Sequence, residues 1–130
     1  MINLYLNERQ VDAVTILDLK GRLRVGGNAW ALHRSIRSLL LEQKTLILLN
    51  LSGVTFIDSC GLGELLASQI SIANHGGQLK LFGLTATLRE LFTAAKLLPV
   101  FDIYENEEEA IQQFSKANDP VASPQLALMS

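Results

Sequence analysis

The sequence predicts a single α/β domain with a mixed sheet of about five strands and about four helices. From the middle of the chain onward, short apolar runs alternate with longer amphipathic stretches, which indicates parallel strands joined by helices. The first part instead carries two runs in which apolar residues recur at every second position, which favours an antiparallel pair of strands. A length of 130 residues with 48% hydrophobic side chains fits one compact domain with its own core.

The antiparallel pair is predicted over residues 2–6 and 14–19, with a polar break at residues 9–12 between the two strands. A glycine-rich loop follows the pair. Residues 46–49 are apolar on both strand faces, which predicts a central strand covered by helices on both sides. A loop around Gly53 is expected after this strand.

A first helix is predicted to begin after Asn28, which suits the N-cap position, and to end at Leu41. Its inward face is formed by an apolar set, namely Ala29, Leu32, Ile36, Leu39 and Leu40. Trp30 lies off this face beside two arginines. It either packs half-buried against the helix or takes part in an interface.

The clearest amphipathic helix is predicted over residues 59–74. Its inward stripe has helical spacing and comprises Leu62, Leu65, Leu66, Gln69, Ile70 and Ala73. Gly76 and Gly77 are expected to end this helix, and residues 78–82 supply the next strand.

A third helix is predicted over about residues 85–95, where Thr87 and Glu90 have capping-box spacing. Its buried row comprises Leu88, Leu91, Phe92 and Ala95. Pro99 closes the helix, and residues 100–104 are predicted to form the last strand.

Asn106 and Glu109 are spaced to cap a fourth helix, whose first turn carries three glutamates that suit the helix dipole. Its inward residues are Ala110, Ile111 and Phe114. The periodicity ends shortly afterwards. Residues 1–115 are therefore predicted to be the domain and residues 116–130 a flexible tail.

Composition excludes several classes of function. Eleven basic and thirteen acidic side chains give a net charge of −2, so the chain has no electrostatic footprint for nucleic acid. Its longest apolar run is four residues, whereas about twenty are needed to span a bilayer. No secretory signal is recognised, and the single cysteine, Cys60, excludes an internal disulfide. A cytoplasmic protein without membrane insertion is expected.

The chemically informative residues lie where the central strand passes into the second helix, and they are Asp58, Ser59, Cys60, Gly61, Leu62 and Gly63. Open α/β sheets place their sites at such carboxyl ends of strands. Ser59 is predicted at or next to the N-cap, where free amides and the helix dipole favour an anion. The structural alternative is that Asp58 and Ser59 only cap the helix, while Gly61 and Gly63 let it approach the sheet.

In its wider context this turn resembles the STAS domain of anti-sigma factor antagonists, over about residues 4–114. The resemblance rests on Gly21-Arg22-Leu23, on Leu49-Asn50-Leu51-Ser52, on the Asp-Ser-x-Gly-Leu-Gly turn, on Gly76-Gly77 and on Leu88-x-x-Leu91-Phe92. It implies that Ser59 is phosphorylated by a partner serine kinase of the ATPase-kinase fold, which also acts as the anti-sigma factor. The unphosphorylated domain would bind this kinase and free the sigma factor, and a PP2C-type phosphatase would reset the switch.

The resemblance also implies which residues surround the phosphoserine and contact the partner, namely Asp58, Cys60, Gly61, Leu62, Gly63 and Arg24. Many family members carry Ser or Thr at the position of Cys60 and Asp at that of Arg24. Cys60 is either a small, half-buried packing residue or a redox-sensitive thiol. Arg24 reverses the charge offered to a partner and could also reach a phosphate on Ser59.

Phosphorylation at Ser59 would add about −1.5 to −2 charge at a point that must be desolvated for binding. The helix end would stabilise this phosphate and Asp58 would oppose it. The sign of the effect on binding therefore depends on the charges that the partner presents.

Two other functions stay open. One is a STAS subunit that is never phosphorylated, as in a stressosome or a lipid-transport complex. The other is a small serine esterase, although Ile57 stands where a nucleophile elbow needs glycine. His75 would lie about 24 Å along the helix from Ser59, and His33 is expected to be solvated or at an edge.

No metal or cofactor is expected. Two distant histidines and one cysteine do not form a ligand cluster. The chain also has no phosphate loop and no dinucleotide-binding glycine motif, so nucleotide binding is unsupported.

Overall fold

A computed structural model describes residues 4–26 and 29–117 of the chain. Its strands are β1 (Leu4–Val11), β2 (Val14–Leu23), β3 (Leu46–Ile57), β4 (Gln78–Phe82) and β5 (Asp102–Tyr104). Its helices are α1 (Ala29–Leu41), α2 (Ser59–Asn74), α3 (Ala86–Ala94) and α4 (Glu107–Ala117), and a short 3-10 helix spans Leu98–Val100. The predicted Asn28 cap and residues 118–130 of the predicted tail lie outside the described residues, and α4 includes residues 116 and 117.

The sheet has the strand order β1-β2-β3-β4-β5, with β3 at its centre. Only the β1–β2 pair is antiparallel, and the other three pairs are parallel. The predicted mixed sheet of five strands with four helices is therefore confirmed. Because α1 and α2 each connect two neighbouring parallel strands, both helices begin at the edge where β2 and β3 end, which we term the carboxyl edge.

Helices cover both faces of the sheet, as the apolar central strand predicts. Helices α1, α2 and α3 share one core cluster with the sheet, through residues that include Leu32, Ile36, Leu65, Ile72 and Phe92. Helix α4 covers the other face, where Ala110 and Phe114 pack with residues that include Ile16, Leu48 and Phe82. The predicted inward face of α1 is confirmed, since all five of its residues are buried.

Two strands are longer than the sequence indicates. Strand β1 continues through the predicted polar break to Val11, because the guanidinium of Arg9 binds Asp18 on β2 at 2.6 Å and Glu107 on α4 at 2.6 Å. These bonds lower the pKa of Asp18 to about 2, mainly through the hydrogen bond from Arg9. Strand β3 continues through the predicted loop at Gly53, where a Cβ would lie only 2.9 Å from a β2 carbonyl oxygen. Gly53 permits close strand pairing and does not form a turn.

The bounds of α2 are confirmed, and its predicted buried stripe is correct in part, since Leu65 is buried and Leu62 and Leu66 pack half-buried against the core. The buried residues are Gly61, Leu65, Ser68 and Ile72, while Ile70 and Ala73 are exposed. Small residues face the sheet because the helix lies close to it, and the Ser68 hydroxyl is satisfied by donating to the carbonyl of Glu64 at 2.8 Å. Side-chain hydrophobicity alone therefore identified Leu65, missed Gly61, Ser68 and Ile72, and wrongly included Ile70 and Ala73.

Two details of the C-terminal third also differ from prediction. Helix α3 is capped by Thr85, whose hydroxyl accepts from the Leu88 amide at 3.2 Å, and not by Thr87. Ala95 is its exposed C-cap, and β5 begins only at Asp102, after the 3-10 helix. The predicted Asn106 cap of α4 is confirmed by its bond from the Glu109 amide at 2.9 Å.

Candidate functional site at the carboxyl edge

Asp58 is the N-cap of α2 and joins two segments of the carboxyl edge. Its Oδ1 accepts from the Gly61 amide at 2.9 Å, and its Oδ2 accepts from the Val25 amide at 2.9 Å. The Asp58 amide in turn donates to the carbonyl of Leu23 at 3.2 Å. One side chain thus fixes the loop after β2 against the start of α2.

Ser59 is the first residue of α2 and is exposed to solvent. This agrees with its predicted position next to the N-cap. The amides at the start of α2 were expected to bind an anion, but the Gly61 amide already donates to Asp58. A phosphate on Ser59 would therefore extend toward solvent.

The pKa of Asp58 lies below its ordinary value, first because the Val25 amide donates to it and second because the Gly61 amide does. Both bonds favour the ionised carboxylate. Asp58 therefore remains charged beside Ser59 at neutral pH.

We expect acidification to release the loop after β2 from the start of α2. A group with a lowered folded-state pKa stabilises the fold above its ordinary pKa, and this contribution is lost as pH falls through the folded-state value. The amide NMR signals of Val25 and Gly61 should therefore titrate together, with a midpoint below the ordinary aspartate pKa.

The control for this titration is Asp58→Asn, which keeps a side-chain acceptor and removes the titrating charge. The shared transition should disappear in that variant. Independent midpoints for Val25 and Gly61 in the unchanged chain would contradict the bridging role of Asp58.

The two glycines of the turn have different surroundings. A Cβ on Gly61 would lie 2.1 Å from the carbonyl oxygen of Leu23, so the close approach of α2 to the sheet requires glycine there. A Cβ on Gly63 would meet nothing within 4 Å, and Gly63 is exposed. The packing interpretation is therefore correct for Gly61 and wrong for Gly63. The next residue after Gly61, Leu62, is half-buried against the core.

The two residues that depart from the family pattern both reach the surface. Cys60 is exposed, so the expectation of a half-buried packing residue is wrong. Arg24 is half-buried, and within the described chain its buried Nε has no hydrogen-bond acceptor. Arg24 lies between Leu23 and Val25, which are both hydrogen-bonded to Asp58, so the structure brings it to the predicted site.

Three large apolar side chains are exposed at the same edge. Val25 is 68% exposed, Trp30 is 55% exposed and Phe56 is 45% exposed. Trp30 stacks with Arg34, whose guanidinium carbon lies 5.7 Å from the ring centroid. Trp30 was singled out from the sequence, whereas Val25 and Phe56 were missed as surface residues. Val25 could have been recognised, because it is an apolar residue between two glycine-rich turns.

The two histidines do not join this site. Both line a cleft between α1 and α2, and the His75 Nδ1 donates to the Ser71 carbonyl at 2.8 Å, near the opposite end of α2 from Ser59. Among the described residues, neither His33 nor His75 makes a hydrogen bond to Ser59. The described part of the chain also holds no group of three or more His, Cys, Asp or Glu side chains that could bind a metal ion.

Within residues 4–26 and 29–117, no helix combines the length and apolarity needed to cross a membrane.

The fold occurs in several solved structures. A candidate anti-sigma factor antagonist from Thermotoga maritima is 24% identical and has a TM-score of 0.71, over 85% of this chain and 94% of that one. An anti-sigma factor antagonist from Mycobacterium paratuberculosis is 20% identical with a TM-score of 0.76, over 86% and 94%. The phosphorylated form of the Bacillus cell fate determinant SpoIIAA is 23% identical with a TM-score of 0.63, over 84% and 98%.

The chain also matches the family described as the STAS domain, and the match covers residues 5–110. This range extends from β1 into α4 and contains the turn at Asp58 and Ser59. On this match, together with the shared fold, the chain belongs to the STAS domain family.

Proposed function

We propose that this chain is an anti-sigma factor antagonist of the cytoplasm, and that phosphorylation of Ser59 controls its binding. The observation that carries the proposal is an exposed serine at the first position of α2, beside an ionised Asp58 whose carboxylate already occupies the local amide donors. The similar fold of SpoIIAA, which has a phosphorylated form, supports the proposal.

The proposed partners are those that the resemblance to anti-sigma factor antagonists implies. A serine kinase of the ATPase-kinase fold, which also serves as the anti-sigma factor, would bind the unphosphorylated chain and transfer phosphate to the Ser59 hydroxyl. A PP2C-type phosphatase would hydrolyse the ester. The chain itself would be a binding protein and not a catalyst, and the position of both histidines away from Ser59 supports this role.

Release would follow from desolvation. A complex that covers Ser59 removes its hydroxyl from water at little cost, whereas burying about −1.5 to −2 charge is costly without matching cations. Since Asp58 already accepts from the Gly61 amide, the turn offers the phosphate little local compensation. The added charge would then act mainly on the partner.

The test is to purify the cognate kinase and measure its affinity for the unchanged chain, for Ser59→Ala and for Ser59→Asp. Only the unchanged chain should gain the mass of one phosphate. Ser59→Asp should weaken kinase binding roughly 100-fold, or about 2.7 kcal/mol.

The matched control is Ser38→Asp, which places the same charge on an exposed serine of α1 far from the carboxyl edge. Kinase affinity should be unchanged in this variant. Wild-type affinity for Ser59→Asp would overturn the charge switch. The absence of phosphate on Ser59 in native cells would favour a STAS subunit that is not phosphorylated, and hydrolysis of an acyl ester that is lost in Ser59→Ala would favour an esterase.

A further inference from the structure

Several exposed or half-buried apolar and cationic residues lie at the carboxyl edge. Helices α1 and α2 both begin at this edge, so Trp30 in the first turn of α1 and Ser59 in the first turn of α2 lie at the same side of the domain. Val25 lies in the loop between β2 and α1 and is held by Asp58. We use the term edge surface for Arg22, Arg24, Val25, Trp30, Arg34 and Phe56.

The apolar part of the edge surface has no cover within the described chain. Val25, Trp30 and Phe56 account for three of the seven large hydrophobic side chains that are exposed. Single exposed apolar residues are ordinary on protein surfaces, but grouping around one modifiable residue is typical of an interaction site. Tryptophan and arginine are also the residues most enriched among those that dominate binding energy.

The charges at this edge are mostly positive. Arg22 is exposed and pairs in register with Phe56, and Arg34 stacks on Trp30. The acidic residues here are Asp58 in the turn and Glu64, which is the sixth residue of α2 as Arg34 is of α1, so the three arginines leave a local net charge of +1, in a chain whose overall net charge is −2.

The neighbouring helices reinforce this asymmetry. Helix α1 contains no acidic residue along its length. Helix α2 contains one, Glu64, and it lies beyond the first turn. The acidic first turn of α4 packs with the opposite face of the sheet.

We infer that the edge surface docks a partner protein whose contact face carries carboxylates around an apolar pocket that receives Trp30. A carboxylate of that partner would bind the solvent-accessible part of the half-buried Arg24 side chain. This inference rests on the proposed function and states the chemistry of the partner's contact face.

The inference also gives the sign of the phosphorylation effect. A phosphate on Ser59 adds about −1.5 to −2 charge, which exceeds the local net charge of +1. The edge surface would change from attracting an acidic contact face to carrying a net negative charge. Because the partner is acidic, the phosphate also meets like charges there, so the same event removes an attraction and adds a repulsion.

Trp30 is the only tryptophan of the chain, so its fluorescence tests the local charge without any partner. At constant low ionic strength, the quenching constant of Trp30 should be roughly twofold larger for iodide than for caesium. Each constant is first divided by the constant of the same ion for a free, uncharged indole compound. Arg24→Gln, Arg34→Gln and Ser59→Asp each shift the local charge by −1 and should each reduce this preference to a similar extent. Equal quenching by the two ions, or stronger quenching by caesium, in the unchanged chain would overturn the inference.

The second arm measures binding of the purified cognate kinase to charge-reversal variants. Arg24→Glu and Arg34→Glu should each weaken binding about tenfold, and Trp30→Ala about thirtyfold. The matched control is Arg37→Glu, which reverses an exposed charge one turn further along α1, in the cleft that faces the histidines. Its affinity should stay within about twofold of the unchanged chain.

The two arms separate the inference from the proposed function. If the kinase binds the unchanged chain and charge reversal at Arg24 and Arg34 leaves its affinity unchanged or raises it, the inference is wrong and the proposed function stands. If the kinase does not bind at all, the proposed function is wrong, and the inference, which rests on it, is overturned with it.

Discussion

Replacing Gly61 with alanine is expected to destabilise the domain by about 3 kcal/mol, at the upper end of the cost of overpacking a core. The added Cβ would lie 2.1 Å from the carbonyl oxygen of Leu23, and this neighbour is backbone that cannot rotate away. Helix α2 would have to move outward from β2. Urea unfolding followed by circular dichroism measures the loss of stability.

Gly63→Ala is the matched control, because it adds the same methyl group to the same helix in open space. Alanine has a higher helix propensity than glycine, so this variant should gain about 0.5–1 kcal/mol. Equal effects of the two substitutions would show that the approach of α2 to β2 is not the constraint on Gly61. Gly61→Ala should also shift the NMR signal of the Val25 amide, because the Asp58 bridge spans the displaced contact.

Replacing Phe114 with alanine is expected to destabilise the domain by about 3–5 kcal/mol, the usual range for removing a buried phenyl ring. Phe114 is a fully buried side chain of the α4 cluster. Its ring also lies 5.3 Å from the Nζ of Lys80, a buried lysine that binds Asp102 at 3.2 Å. The substitution therefore leaves a cavity and weakens the surroundings of a buried cation, and chemical denaturation measures the combined effect.

Ile111→Ala on the same helix is the control, since Ile111 is only half-buried against that cluster. A loss of about 1 kcal/mol is expected there. In the folded Phe114→Ala protein, the amide signals of Val25 and Gly61 should stay at their original positions. A change in these signals would show that α4 and the carboxyl edge are coupled through the sheet.

Predictions from the sequence are correct where the interactions that determine a feature join residues close together in the chain. The buried face of α1 and the Asn106 cap of α4 follow from residues within a few turns of each other, and both are confirmed. The strand through Gly53 was missed because its partner is β2, far away in sequence. The buried face of α2 was predicted only in part, because Gly61 and Ser68 are buried by the close approach of the helix, which hydrophobic spacing does not reveal.

The candidate site shows the same division. The position of Asp58 and Ser59 at the start of α2 could be predicted from the sequence, since a strand followed by a capped helix is a local pattern. The cap that Asp58 places on α2 was one of the two interpretations made from the sequence, and its bond from the Gly61 amide confirms it. The second bond to Asp58 could not be predicted, because it comes from the Val25 amide, a separation of 33 residues.

By itself, the sequence determined the class of domain, the alternation of strands and helices, and the serine at the head of α2, because hydrophobic period and capping chemistry act over neighbouring residues. Only the tertiary structure decided which glycine is indispensable, which side of α2 is buried and which side chains gather around Ser59. Those features depend on how closely segments distant in sequence approach one another, and steric fit between backbone atoms sets that approach.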